Sequence, residues 1–439
     1  MSDEQGTSDP GKGQAQLKRA LGAFAITVYA IGDVLGAGIY ALVGKVVGEA
    51  GSAATLSFVV SAVIALFTGL TYAELSSRFP YAGGAAAYCK RAFPYPLVAF
   101  AIGVLVLASG ISSAATISLA MTGYLEAFIT LPKWAGSLGL LVLLSWLNYR
   151  SIEESARVNL VLTAIEVCGL LFILVVGLMY AADLPAGEVV TRTTPSGTWT
   201  GVLSGATLAF FAYIGFEDTA NVAEEVRDAR RVLPRAILTA ITFSCVLYIS
   251  ITIVALMTVP QVVLSNSGAP LLEVLNAAGV HLPGNTFSMI ALVAICNTGL
   301  LNLIMASRLL FGMAQDGLLP RVLARVHPLH RTPSIAVWVA FGLAAFFALS
   351  GGVEVLARTT SFLLLVVFTV LHVGLVRVKR QGSVVSEEVF TTPAWTPLVG
   401  AVLCAAMASQ YPLEVFARAG VVLAVAVAFY IFIPVERRA

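Results

Sequence analysis

Three carboxylates stand where a membrane helix would normally carry none: Asp33, Glu166 and Glu217 each fall inside a long apolar run. An ionisable side chain at the centre of such a helix costs about 2.5–3.5 kcal/mol on insertion scales. A purely structural role rarely justifies that cost three times over. A carboxyl group in a low-dielectric site can hold a proton near neutral pH, so any of the three could take up a coupling proton. Asp33 and Glu166 could instead give oxygen ligands to sodium. A neutral, hydrogen-bonded carboxyl that staples helices is the structural alternative, and all three readings stay open.

The chemistry around Asp33 is set by its neighbours, "DVLGAGIY" (33–40). Glycine tolerates unusual backbone angles, so a helix can unwind at Gly36-Ala37-Gly38. A second candidate break lies in "FFAYIGFEDTANVAEEVRDARRVLPRAI" (210–237), where Gly215 precedes Glu217 and Asp218. A half-helix that starts in mid-membrane offers free N–H groups and a positive dipole end, which suit a carboxylate. One that ends there offers free carbonyls, which suit an ammonium or a metal cation. One break thus supplies partners for both ends of an amino acid. Packing glycines at a simple kink are the alternative, but broken helices at matching places in two halves point to a transporter binding site. Unwound backbone survives at that depth only where it lines a cavity or is buried in protein.

The elements that must position these residues are membrane helices. The chain has 439 residues, 58% apolar and 11% charged, with a mean hydropathy of +0.90. That composition requires an integral membrane protein with the lipid bilayer as its surroundings. A net charge of +2 without a basic patch argues against nucleic acid. A crossing helix needs about 20 apolar residues. Candidate spans lie near 21–46, 52–78, 95–128, 135–149, 158–182, 201–223, 235–259, 285–313, 334–351, 359–377, 396–412 and 415–434. With the N-terminus inside, the outer loops keep only Lys45, Lys133, Arg192, Arg358 and Arg418 of the 26 basic residues. That asymmetry fits twelve spans with both termini cytoplasmic. Residues 1–20 are polar and are expected to form a disordered cytoplasmic tail.

Other motifs fail. "GTSDPGK" (6–12) has Gly13 where a phosphate-binding loop needs Ser or Thr, and no strand precedes it. His327 and His330 lie in a basic loop and suggest no metal site, and the five cysteines have no ligand spacing. His372 is expected to be a packing histidine. Glu74 and Arg78, with Glu224, Glu225, Arg227 and Asp228, are expected as gate or loop ion pairs near the cytoplasmic face. No HExxH or GxSxG occurs, so no enzyme activity and no cofactor are expected.

Four segments, "GAGIYALVG" (36–44), "YAELSSRFPYAGGAAAYCKRAF" (72–93), residues 210–237 and "SRLLFGMAQDGLLPRVLARVHPLHRTP" (307–333), resemble the amino acid–polyamine–organocation superfamily. The similarity is nearest to its cationic-amino-acid-transporter-like bacterial permeases. It implies a LeuT-type fold: an inverted repeat of helices 1–5 (21–182) and 6–10 (201–377), with helices 1 and 6 broken and helices 11 and 12 (396–434) peripheral. It also implies that Gly36, Ala37 and Gly38 hold a substrate carboxylate. The carbonyls of Val34 and Leu35 match positions near the substrate amine, and Phe210, Phe211 and Ile214 positions over the substrate. Glu217 matches an acid implicated in coupling. Two positions depart from the family. "VNLVLTAIEV" (158–167) has Glu166 where relatives often carry lysine, and Asp33 stands where relatives are commonly uncharged.

The resulting expectation is a plasma-membrane secondary transporter that imports a small or neutral amino acid by alternating access. Protons are the expected coupling ion and sodium the rival. An exchanger or importer of an organic amine or polyamine is the alternative within transport, and a non-transporting amino acid sensor the alternative outside it. The oligomeric state is left open.

Overall fold

The computed structural model describes residues 21–80, 84–126, 128–150, 155–280, 286–315, 319–327, 330, 332–381 and 389–432. The tail 1–20, with its phosphate-loop-like stretch, lies outside the described residues, as do the side chains of Ala37, Glu224 and Glu225. The described chain is helical, with one isolated bridge between Leu21 and Val226.

The first half comprises α1 (Ala23–Ala50), α2 (Ala54–Arg78), α3 (Gly84–Ala92), α4 (Pro96–Leu125), α5 (Lys133–Arg150) and α6 (Ser155–Asp183). A short α7 (Ala186–Thr193) leads to α8 (Trp199–Ala212) and α9 (Ala229–Thr258). After them come α10 (Gln261–Asn266), α11 (Pro270–Ala277), α12 (Thr286–Gln315), α13 (Ser334–Ser350) and α14 (Val353–Arg380). The last described helices are α15 (Thr396–Ala408) and α16 (Leu413–Phe432). Local chemistry sets several boundaries. Proline opens α4 and α11, where its missing N–H costs nothing. The Thr198 hydroxyl caps α8 by accepting the Gly201 N–H at 3.2 Å.

Among the described residues, seven helical stretches are long and apolar enough to cross a membrane, the first running through both α1 and α2. Shorter apolar helices α8, α13 and α15 accompany them. Every expected span is occupied by helix among the described residues, and the sixth is interrupted where the break was expected. Its α-helix stops at Ala212, and Asp218–Glu225 form a 3₁₀ run instead. Helices α3, α7, α10 and α11 fall in stretches expected to be loops, because they are too short to register as apolar runs.

Helix α4 packs against α12 and α14 at the centre, α1 against α8 and α9, and α2 against α9 and α8. Large apolar side chains on α5, α6, α13, α15 and α16 face outward, among them Trp146, Leu171, Phe346, Val402 and Val421. An apolar exterior over a polar-studded interior is the arrangement that suits lipid as solvent.

Polar clamps close both ends of the bundle. At one end the Arg358 guanidinium on α14 donates to Glu49 Oε1 at 2.7 Å, to the Ser204 carbonyl at 3.1 Å and to Glu354 Oε1 at 3.3 Å. It also donates to the Thr207 hydroxyl. This single side chain therefore ties α14 to α1 and α8. At the other end, buried Glu74 of α2 pairs with Arg78 at 2.7 Å and with Lys379 of α14 at 2.8 Å. It also accepts the Thr392 N–H at 2.8 Å.

Candidate functional site

Both expected breaks are present, and they touch. Within α1, Gly36 leaves helical geometry at φ −17°, ψ −158°. Beyond α8, Gly215 adopts φ +127°, a conformation that strains any residue with a Cβ. A Cβ on Gly215 would stand 2.6 Å from the Asp33 carbonyl oxygen. One on Gly38 would stand 2.5 Å from Ala212 Cα, and one on Gly36 2.1 Å from the Thr298 hydroxyl of α12. The glycines thus let the two unwound backbones lie against each other and against α12.

A small cavity of about 20 Å³ opens between them. That is room for roughly one water. Val34, Gly36, Gly38, Phe211 and Ile214 line it, together with Asp33 and Glu217. Leu35 and Phe210 do not. Leu35 is fully buried in the core, and the Phe210 ring packs on Phe368 with centroids 6.3 Å apart. Other helices add polar side chains to the lining, Ser113 of α4, Thr298 and Asn302 of α12 and Thr360 of α14, beside the apolar Ile117, Met305 and Leu364. These polar residues and Asp218 were missed as site residues. Asp218 could have been found, since it is a second acid beside Glu217 in an apolar run. The others carried only the weak signal of hydroxyls and an amide in apolar helices.

The carboxylates sit in different settings. Glu217 accepts the Gly215 N–H at 2.9 Å, tying the acid to the break itself. Asp33 is 3% exposed, and its Oδ2 has no hydrogen-bond partner among the described residues. Asp33, Glu217 and Asp218 interact electrostatically. No lysine or arginine lines the cavity among the described residues. Glu166 lies outside the lining. It is fully buried on α6, and neither carboxyl oxygen has a partner among the described residues. It is within electrostatic reach of Asp33, Tyr40 and Tyr248. The carbonyls of Val34 and Leu35, expected beside a substrate amine, both accept the Tyr248 hydroxyl, at 2.7 and 2.8 Å.

Outside the site, His372 bonds the Thr71 hydroxyl through Nδ1 at 2.8 Å and packs against Gly400. It has the partners of a packing histidine. His327 and His330 stack at 4.9 Å beside Tyr149. Among the described residues no group of three or more metal-ligating side chains forms.

The family model for amino acid permeases matches residues 21–434. The branched-chain amino acid permease BcaP of Bacillus subtilis (strain 168) is 27% identical over 400 residues, 84% of this chain and 83% of that protein. The methylthioribose transporter of the same organism is 28% identical over 414 residues, 88% of this chain and 87% of its own length. The chloroplastic cationic amino acid transporter 9 of Arabidopsis thaliana is 34% identical over 336 residues, 71% of this chain and 58% of its own. The matched region contains both breaks, every cavity-lining residue and both terminal clamps. The chain belongs to the amino acid permease family of the amino acid–polyamine–organocation superfamily, and it is a membrane transporter rather than an enzyme.

Proposed function

We propose that this chain imports a small, neutral amino acid across the plasma membrane by alternating access, coupled to protons, with both termini cytoplasmic. The observation that carries the reading is the meeting of the two helix breaks at a cavity with buried carboxyl groups. A carboxylate substrate group would be held by N–H groups at the Gly36–Gly38 break. Its ammonium would face Asp33 and Glu217, and Phe211 and Ile214 would close over it. We take α1, α2, α4, α5 and α6 as one repeat and α8, α9, α12, α13 and α14 as its inverted partner. Corresponding members α1 and α8, and α2 and α9, pack together, which supports that pairing. Helices α15 and α16 are peripheral.

Glu166, Asp33 and Glu217 are the candidate proton carriers. The test is uptake of a labelled amino acid into proteoliposomes across a range of pH. If Glu166 carries the coupling proton, Glu166→Gln flattens the pH dependence, because an amide does not titrate. An intact profile excludes it and moves the role to Asp33 or Glu217.

A second reading, transport of an organic amine, rests on the three acids and the absence of a basic residue in the described cavity lining. A thermal-unfolding screen separates the two, since a ligand that binds the native state raises its apparent stability. The panel is the twenty amino acids with ethanolamine, putrescine and agmatine. Stabilisation by small neutral amino acids supports the first reading, and stabilisation by amines alone replaces it with the second.

A further inference from the structure

We propose that the cationic, aromatic corner where α5, α12 and the 3₁₀ turn Arg321–Ala324 meet binds the headgroup of an anionic phospholipid. Three arginines leave the bundle here: Arg150 at the end of α5, Arg308 on α12 and Arg325 just past the turn. All three are exposed, and among the described residues none of them is in an ion pair. Arg78, Arg358 and Lys379, by contrast, are bound to carboxylates. The elements that carry the three arginines pack together, α12 on α5 and on the turn, with α13 against all of them. Asn148 of α5 donates to the Ser307 hydroxyl at 3.2 Å, which sets Arg150 and Arg308 at about the same depth.

Aromatic rings interleave with these charges. Trp146 on α5 and Trp338 on α13 are 42% and 43% exposed. The Arg150 guanidinium lies over the Trp146 ring, 4.5 Å from its centroid, a cation–π contact that holds the charge at the level of the indole. The Tyr149 ring meets those of His327, His330 and Trp338 at 5.4, 5.0 and 6.4 Å. The basic loop is pinned to it, because the Thr332 hydroxyl donates to the Tyr149 carbonyl at 2.8 Å. The His330 N–H donates to His327 Nδ1 at 3.3 Å, so the His327 proton sits on Nε2 and remains a donor. Tryptophan and tyrosine gather at the headgroup level of a bilayer, and basic side chains there attract anionic lipid. The outward face of α5 continues from this corner with Leu147 and Leu143, 40% and 49% exposed. That apolar track suits an acyl chain and has no use in holding a free anion, so the ligand is a lipid. In the orientation proposed above, this end of α5 faces the cytoplasm, the side where the membrane surface is negative.

The test melts the detergent-purified full chain with increasing dioleoyl phosphatidylglycerol, dioleoyl phosphatidylcholine or glycerol 1-phosphate. Phosphatidylglycerol is expected to raise the wild-type melting temperature by several degrees, saturably, and the other two by less than half as much. Equal stabilisation by phosphatidylcholine would overturn the proposal, since charge would then play no part. Equal stabilisation by glycerol 1-phosphate would overturn it in favour of a free anion. Arg150→Gln/Arg325→Gln should raise the phosphatidylglycerol midpoint at least about tenfold, the loss expected for two surface cations. Lys90→Gln/Arg380→Gln removes two exposed cations from α3 and α14 and should leave the midpoint near the wild-type value. An equal shift in both double variants would overturn the site, because general charge would then explain the binding. Should the first variant not fold, fluorescence carries the same test. Brominated phosphatidylglycerol should quench wild-type tryptophan emission more than brominated phosphatidylcholine does, and Trp146→Phe should remove a large part of that excess. An unchanged excess would place the lipid elsewhere and overturn the proposal. No transport is measured, so the outcome is independent of the amino acid reading.

Discussion

At the scale of single residues, the site depends on where a side chain is missing. Gly215 combines φ +127° with a Cβ position 2.6 Å from the Asp33 carbonyl. Gly215→Ala is expected to lower stability by at least about 1–3 kcal/mol from backbone strain alone and to abolish uptake. Thermal unfolding and transport of the same preparation check both effects. Cys89 gives a different prediction. It is buried in α3, and burial pushes its thiol up to about 12. The thiolate is the reactive form, so Cys89 should stay unlabelled by a water-soluble maleimide at pH 7 in the folded protein and react once the chain is denatured. Labelling of Cys89 in the folded protein at the denatured rate would show that α3 opens readily. Much of this scale was legible beforehand. Gly36, Gly38, Gly215 and Glu217 stand out because each breaks an apolar pattern. Tyr248 was not legible, because a tyrosine in an apolar helix looks the same whether it packs or donates. Which hydroxyl meets which carbonyl depends on lateral packing, and hydrophobic periodicity carries no information about that.

At the scale of elements, two fits can be tested against each other. Arg358 binds acceptors from α1, α8 and its own helix α14. Removing Glu49 leaves it other partners, whereas removing Arg358 strips the whole junction. Arg358→Met should therefore lower the melting temperature more than Glu49→Gln does, and the reverse order would show that the junction adds nothing. The second fit is between Gly400 of α15 and His372 of α14. A Cβ there would lie 2.1 Å from the imidazole Cε1. Gly400→Ala should cost about 1–3 kcal/mol as an overpacking change. His372→Ala in the same chain should recover part of that loss, a coupling that a double-mutant cycle measures directly. The sequence placed the long helices to within a few residues, because lipid demands long apolar runs. It placed the break at Gly215 but not the 3₁₀ form of the polar segment that follows, where i to i+3 bonds such as Asp218 N–H to the Gly215 carbonyl at 3.0 Å replace the α-helical ladder.

At the scale of the whole molecule, the outward face is apolar and the inward face carries the acids. Leu171 on α6 is 42% exposed. Leu171→Arg should cost about 2.5–3.5 kcal/mol of insertion free energy and reduce the amount recovered in membranes. Leu171→Phe should be tolerated. Equal recovery of the two variants would mean that this face meets water or protein instead of lipid. The clamps at the two ends have a further consequence, because the cavity between them is about 20 Å³. A space for one water admits no amino acid, so binding requires an expanded conformer. The measured dissociation constant then equals the intrinsic one divided by the population of that conformer. Weakening a clamp can therefore tighten apparent affinity without altering any group that touches the substrate. A loosened variant that binds better and turns over more slowly would be trapped by its own ligand.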